Sequence, residues 1–150
     1  MSQVTPPHVS PPAVEAWTNL LRAHAATSRS LSAELQAGHG LSLNGYEALH
    51  ELSQAPEGRM RRIDLARRLG LTPSGVTRLL EGLESDGLVA RSECASDLRV
   101  TYAELTDAGR AKLADASCGH VGSVRAVLEE HLAPEEIETL AALLGKLPGP

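Results

Sequence analysis

The chain has 150 residues, 42% of them apolar, which suits one domain with a real core. Aromatics are only 2% and Phe is absent, so that core has to be built from Leu, Val and Ala, as in helix-rich proteins. The formal net charge of −5 argues at first against a nucleic-acid partner, yet from Arg59 to Arg99 eight Arg meet six acids, a net of +2 that leaves −7 on the remainder. Every positive charge in that middle is Arg, the side chain suited to bidentate contact with phosphate and guanine. Two cysteines, Cys94 and Cys118, are too few for a disulfide framework. The N-terminus lacks the apolar stretch of a signal peptide, and no apolar run approaches membrane-spanning length, so a cytoplasmic protein is expected.

In chain order, residues 1–12 hold four prolines and are expected to be extended or disordered. Val14, Trp17, Leu21, His24, Ser28, Leu31 and Leu35 then recur at intervals of three and four, predicting a helix to about Gln36 that stops at Gly38 and Gly40. Ser42 can cap a second helix with Tyr46, Leu49 and Leu52 inward, ending at Pro56-Glu-Gly58. Leu65, Ala66 and Leu69 mark a short third helix, with Gly70 as the left-handed residue after it.

The stretch from Leu71 to Asp86 predicts a fourth helix, with Thr72 as N-cap and Pro73 at its first position. Val76, Leu79, Leu80 and Leu83 share one face, while Ser74, Thr77, Arg78, Glu81 and Ser85 share the other. The first two turns of the polar face carry small or hydrogen-bonding groups, which lets the helix approach a surface closely, as a DNA-reading helix does in a major groove. Helix, short Gly-containing turn and helix make a helix-turn-helix. Residues 88–92 and 99–105 read as two strands joined by a loop over 93–98, a hairpin in the position of a wing. Thr106 caps a long helix to about Leu132, weakened by Gly119 and Gly122 at roughly 1 kcal/mol each and open to a kink there. Pro134 starts a last helix with the stripe Ile137, Leu140, Leu144 and Leu147.

Taken in order, Leu65-Ala66, Leu71-Thr-Pro-Ser-Gly-Val-Thr-Arg-Leu79, Leu83-Glu-Ser-Asp-Gly-Leu-Val89, Asp97-x-Arg99 and Leu105-Thr-Asp-Ala-Gly-Arg110 resemble the MarR family of bacterial transcription regulators over about residues 13–147. The resemblance implies a mainly α, dimeric winged helix-turn-helix of six helices plus a two- to three-stranded hairpin. Residues 13–42 and 106–150 would be dimerisation helices around a DNA-binding region at 43–105. The dimer would read a pseudo-palindromic site with half-sites roughly one DNA turn apart. Ser74, Thr77 and Arg78 would meet base edges or nearby phosphates, and Arg99 would enter the minor groove, oriented by Asp97. Arg62, Thr72 and Arg91 complete the expected DNA-binding set. Two departures from the family pattern stand out: the cap position of the third helix falls at Ile63, preceded by Arg62, and the last helix follows Ala133 instead of Ser or Thr.

The resemblance also implies a repressor released by a small aromatic or anionic effector. Trp17, His24, Tyr46 and His50, each an apolar body with a polar tip, are the candidate ligand residues, against plain packing roles. Redox sensing at Cys94 is an alternative, because Arg91 and Arg99 nearby would lower its thiol pKa. Cys118 and His120, two apart on a helix, diverge and cannot form an acid–base pair. A protein-interaction module is a further alternative, disfavoured because the polar face of the fourth helix carries no apolar anchor. No nucleophile–base set, phosphate loop or metal-ligand spacing points to an enzyme, a metal or another cofactor.

Overall fold

The computed structural model describes residues 11–150. Of the expected extended N-terminus, residues 1–10 lie outside the described part. Pro11 and Pro12 correct that expectation, because they open α1 (Pro11–His39). A helix's first turn tolerates proline, since N–H groups there have no intrahelical acceptor. Ser42 caps α2 (Leu43–Gln54) by accepting from the Gly45 N–H at 3.0 Å. A 3₁₀ turn at Pro56–Gly58 then reverses the chain into β1 (Arg59–Arg61). Three residues carry no alternation to read, so β1 is recognisable only from its partner: Met60 sits opposite Ala103 in an antiparallel ladder.

The helix-turn-helix is α3 (Arg62–Leu69) and α4 (Pro73–Ser85). Gly70 adopts φ 65°, and its N–H returns to the carbonyls of Ala66 and Arg67, closing α3 and turning the chain into α4. The start of α3 differs from expectation. Its N-cap is Arg61, not Ile63, and no side chain caps it.

The wing is longer than expected. β2 (Val89–Cys94) and β3 (Asp97–Leu105) pair almost to the tip, with a bulge at Glu93/Cys94, so only Ala95 and Ser96 turn. Glu93, Cys94, Asp97 and Leu98 therefore belong to strands instead of a loop. Their largely polar sequence hides this, because backbone pairing rather than apolar burial holds the tip. The sheet order is β1-β3-β2, antiparallel throughout.

Thr106 fastens α5 (Asp107–Glu129) to the wing. Its hydroxyl accepts from Gly109 N–H at 3.0 Å and donates to the Gly87 carbonyl at 2.7 Å. The Leu88 carbonyl approaches Gly109 so closely that any Cβ would collide with it. α5 runs unbroken through Gly119 and Gly122, without the expected kink, and ends three residues before Leu132. α6 (Pro134–Leu144) lacks a capping side chain at Ala133, but the Glu136 carboxylate accepts from the Ala133 N–H at 2.9 Å, one arm of a capping box.

The buried apolar residues lie almost entirely between Leu41 and Leu105, with Leu49, Leu52, Leu65 and Leu80 fully enclosed. Only Leu35 from α1 and Leu113 and Ala116 from α5 join them. Each such Leu contributes about 1.5–3 kcal/mol. None of the described helices is long and apolar enough to cross a membrane.

Candidate nucleic-acid interface

Val76, Leu80 and Leu83 seat α4 in this core, which leaves Ser74 and Arg78 exposed on its outer face. Thr72 accepts from the Gly75 N–H at 3.0 Å and lies 3.2 Å from the Ser74 hydroxyl, so both short side chains are gathered at the helix start. Thr77 is half-buried, and its hydroxyl donates to the Pro73 carbonyl at 2.9 Å. Outgoing polar contact on α4 therefore falls chiefly to Ser74 and Arg78.

On the wing, one oxygen of Asp97 accepts from both the backbone N–H of Arg99, at 3.0 Å, and its Nε, at 3.2 Å. These two bonds hold the Asp97 carboxyl below its ordinary pKa, so the bracket is ionised and intact near neutrality. The Arg99 side chain is 92% exposed and leaves the hairpin tip already oriented. Less rotamer freedom is lost when such a side chain binds.

Between the start of α4 and β3 lies a cleft of about 410 Å³, lined by Arg61, Arg62, Pro73, Thr77, Arg99 and Thr101 among others, with no acidic residue in its wall. Other arginines of the basic middle are answered inside the fold: Arg59 by Glu57 at 3.1 Å, Arg67 by Asp64 at 3.4 Å and Arg68 by Glu51 at 3.4 Å. Arg61, Arg62 and Arg78 have no carboxylate within 4.0 Å among the described residues, although the Tyr102 side chain and, more weakly, Asp64 act on Arg61. The positive charge left over is thus concentrated on one face. Arg91 does not join it: its Nε lies 3.9 Å from Glu84, toward the far end of α4. Sequence reasoning missed Arg61 and Thr101 as cleft residues, because the pairing of β1 with β3 that places them has no local signature. Two large apolar side chains flank the same face, Ile63 at 62% and Leu98 at 74% exposure.

Residues 41–101, from the start of α2 to the wing, match the model of the MarR family. The HTH-type transcriptional repressor YetL of Bacillus subtilis is 36% identical over 111 residues, covering 74% of this chain and 66% of that repressor. Among solved structures, AbsC, a MarR family transcriptional regulator from Streptomyces coelicolor, is 34% identical with a TM-score of 0.77, covering 86% of each chain. The chain belongs to the MarR family. Sco3205, a MarR family regulator from the same organism solved in complex with DNA, superposes with a TM-score of 0.82 at 29% identity, covering 94% of this chain and 88% of that one.

In this MarR-family chain Tyr46 and His50 lie together, His24 and His50 both act on Glu47, and Trp17 is exposed on α1. Tyr46 is buried at 7% exposure and its hydroxyl donates to Ser117 at 3.1 Å, which in turn donates to the Leu113 carbonyl at 2.6 Å. His50 stacks parallel to Tyr46 at 6.4 Å, and His120 of α5 packs against Tyr46 at 4.3 Å with its ring tilted by 51°. Burial lowers the His120 pKa, with Glu34 opposing that shift, and its Nδ1 is buried without a partner. His24 lies 3.4 Å from Ser28 on α1 and is felt electrostatically by Glu47, whose carboxyl is raised by burial. Trp17, two turns further back, is 61% exposed. His120 and Ser117 are thus the members of the Tyr46 cluster that sequence did not single out as ligand residues. Their spacing marks a helix face but not that it meets α2.

Cys94 is half-buried at the end of β2, and its thiol pKa is lowered. The cause differs from expectation. The Ser96 hydroxyl, 3.1 Å away, and backbone N–H groups stabilise the thiolate; neither Arg91 nor Arg99 does. Cys118 is exposed. Among the described residues no three His, Cys, Asp or Glu side chains are grouped to hold a metal ion.

Proposed function

We propose that this chain is a sequence-specific, double-stranded DNA-binding transcription repressor that acts in the cytoplasm as a homodimer. The observation that carries this is the acid-free cleft between α4 and the wing, where unpaired arginines meet an oriented Arg99. Ser74 and Arg78 read base edges in a major groove, with Thr77 and Thr72 against the adjacent backbone. Arg99 enters the neighbouring minor groove, whose narrow A·T-rich form concentrates negative potential. Arg91, held by Glu84, contributes long-range attraction only.

Residues 43–105 form the DNA-binding part, and 13–42 with 106–150 form the dimer. Support for the second assignment is the exposed apolar set on α1 (Val14, Trp17, Leu21), on α5 (Val121) and along α6 to Leu147, together with an α6 that buries none of its own residues. A small aromatic or anionic effector would act at the Tyr46, His50 and His120 cluster, where the domain core meets α5. Its phenol and imidazoles offer stacking faces, and the unpartnered Nδ1 offers a hydrogen bond. Binding there would shift α5 against the winged helix and so alter the spacing of the two reading heads.

Hydroxyl-radical footprinting of the DNA upstream of the protein's own gene tests this. The expected result is a two-fold symmetric pattern of protected backbone with centres about one helical turn apart. Uniform cleavage across the region at saturating protein would contradict the proposal.

A further inference from the structure

Arg62 belongs to the expected DNA-binding set, and its guanidinium is not satisfied within the described chain. It is the first residue of α3 and lines the cleft, and two of its guanidinium nitrogens, Nε and Nη2, are buried without a hydrogen-bond partner among the described residues. Buried guanidinium N–H groups left unpaired are costly, and a positive charge without a counter-charge more so. No acid lines the cleft to answer it. The helix that Arg62 begins has no side-chain cap either, so its first N–H groups add partial positive charge at the same place. An anionic oxygen acceptor would satisfy these groups, since Asp64 of the same first turn is engaged by Arg67.

DNA geometry supplies one. A major groove and the minor groove beside it are separated by a single sugar–phosphate strand. A protein with α4 in the first and the wing in the second must straddle that strand, and this cleft lies between α4 and β3 of the wing. We infer that the cleft is a socket for the backbone phosphates that separate the two grooves, with Arg62 as the clamp and Arg61 and Thr101 as its rim. The inference rests on the DNA-binding function proposed above and adds to it the group recognised. Arg62 fixes where the protein sits along the backbone, while Ser74, Arg78 and Arg99 read what the sequence is. Ile63, exposed beside Arg62, lies against the deoxyribose of the same strand.

The test is fluorescence anisotropy on the footprinted operator and on a random duplex, with wild type, Arg62→Gln and Arg62→Lys. A second set of operators carries one neutral methylphosphonate at successive backbone positions between the two grooves. Arg62→Gln is expected to weaken both duplexes by a similar factor, about tenfold or more, the scale of a charged hydrogen bond. Its log–log salt slope should be shallower by roughly 0.9 per protomer. Arg62→Lys, which keeps the charge and loses the fork, should recover part of the affinity. One methylphosphonate should weaken wild type strongly and Arg62→Gln hardly at all. Equal losses for both proteins at every position, or an Arg62→Gln variant with wild-type affinity and slope, would overturn the socket while leaving the DNA-binding function standing. A wild-type chain that binds neither duplex would overturn both. The methylphosphonate series on wild type alone still decides the matter if Arg62→Gln fails to fold, because an unaffected affinity at every position contradicts a clamped phosphate.

Discussion

The middle of the chain and its two ends solve different problems with the same Leu-rich alphabet. From Leu41 to Leu105 most of the large apolar side chains are enclosed, Ile63 and Leu98 excepted, and the surface charge is sorted: acids answer Arg59, Arg67 and Arg68, while Arg61 and Arg62 line a cleft with no acid in its wall. At the ends the apolar residues are left in the open, on the outer stripe of α1 and along α6. A region that closes its own core can be judged from one chain. In the proposed dimer, a region that leaves its stripe exposed is completed by a second copy, and its energetics then belong to the assembly.

That contrast can be broken most visibly at the C-terminus. Deleting residues 135–150 should convert a dimer into monomer or aggregate and abolish operator binding, read by sedimentation and anisotropy; a well-behaved dimer after the deletion would contradict the assignment of α6. Leu49→Ala should cost about 2–5 kcal/mol of unfolding free energy, since Leu49 is fully enclosed. Leu143→Ser, on the exposed stripe, should instead raise the dimer dissociation constant and make the melting temperature depend more steeply on protein concentration. Arg99→Ala should weaken operator binding by at least several-fold with the dimer intact. Thr72→Ala should cost about 1 kcal/mol, the worth of one N-cap bond, seen in denaturant melts.

A smaller effect separates the two regions by pH. The lowered pKa of His120 means that the folded chain holds it neutral while the unfolded chain takes up a proton near 6.5. The stability this gives is complete above about 6.5 and is lost as pH falls from there through the depressed folded value, because the unfolded state then binds more protons. His120→Asn should flatten the fall in melting temperature between about pH 7 and pH 5 relative to wild type. Glu34, His39, Tyr46 and His50 face the same region.

Most of this architecture was legible in the sequence, because it is signalled locally. Ser42, Thr72 and Thr106 each cap the helix that follows them, Gly70 turns left-handed between α3 and α4, and Val76, Leu80 and Leu83 point inward as their spacing requires. What was hidden depends on partners distant in the chain. β1 exists only because β3 lies beside it, and the hairpin tip is held by backbone pairing under polar side chains. The site divided the same way. The bracket of Asp97 on Arg99 spans two residues and could be read directly. Which arginines are free could not, since Arg68 meets Glu51 from another helix and Arg91 meets Glu84, and only the fold brings each pair together. The net charge of the middle segment pointed to the partner proposed here, although most of that charge is spent internally.

The proposed DNA contact rests on Arg61 and Arg62 of the acid-free cleft together with Arg99, which Asp97 holds oriented. Anisotropy of the wild-type dimer with the upstream duplex and a random duplex, titrated across salt, tests it most directly. The account predicts tighter binding to the upstream duplex and a steep loss of affinity on both as salt rises. Binding to neither duplex, or an affinity indifferent to salt, would contradict it.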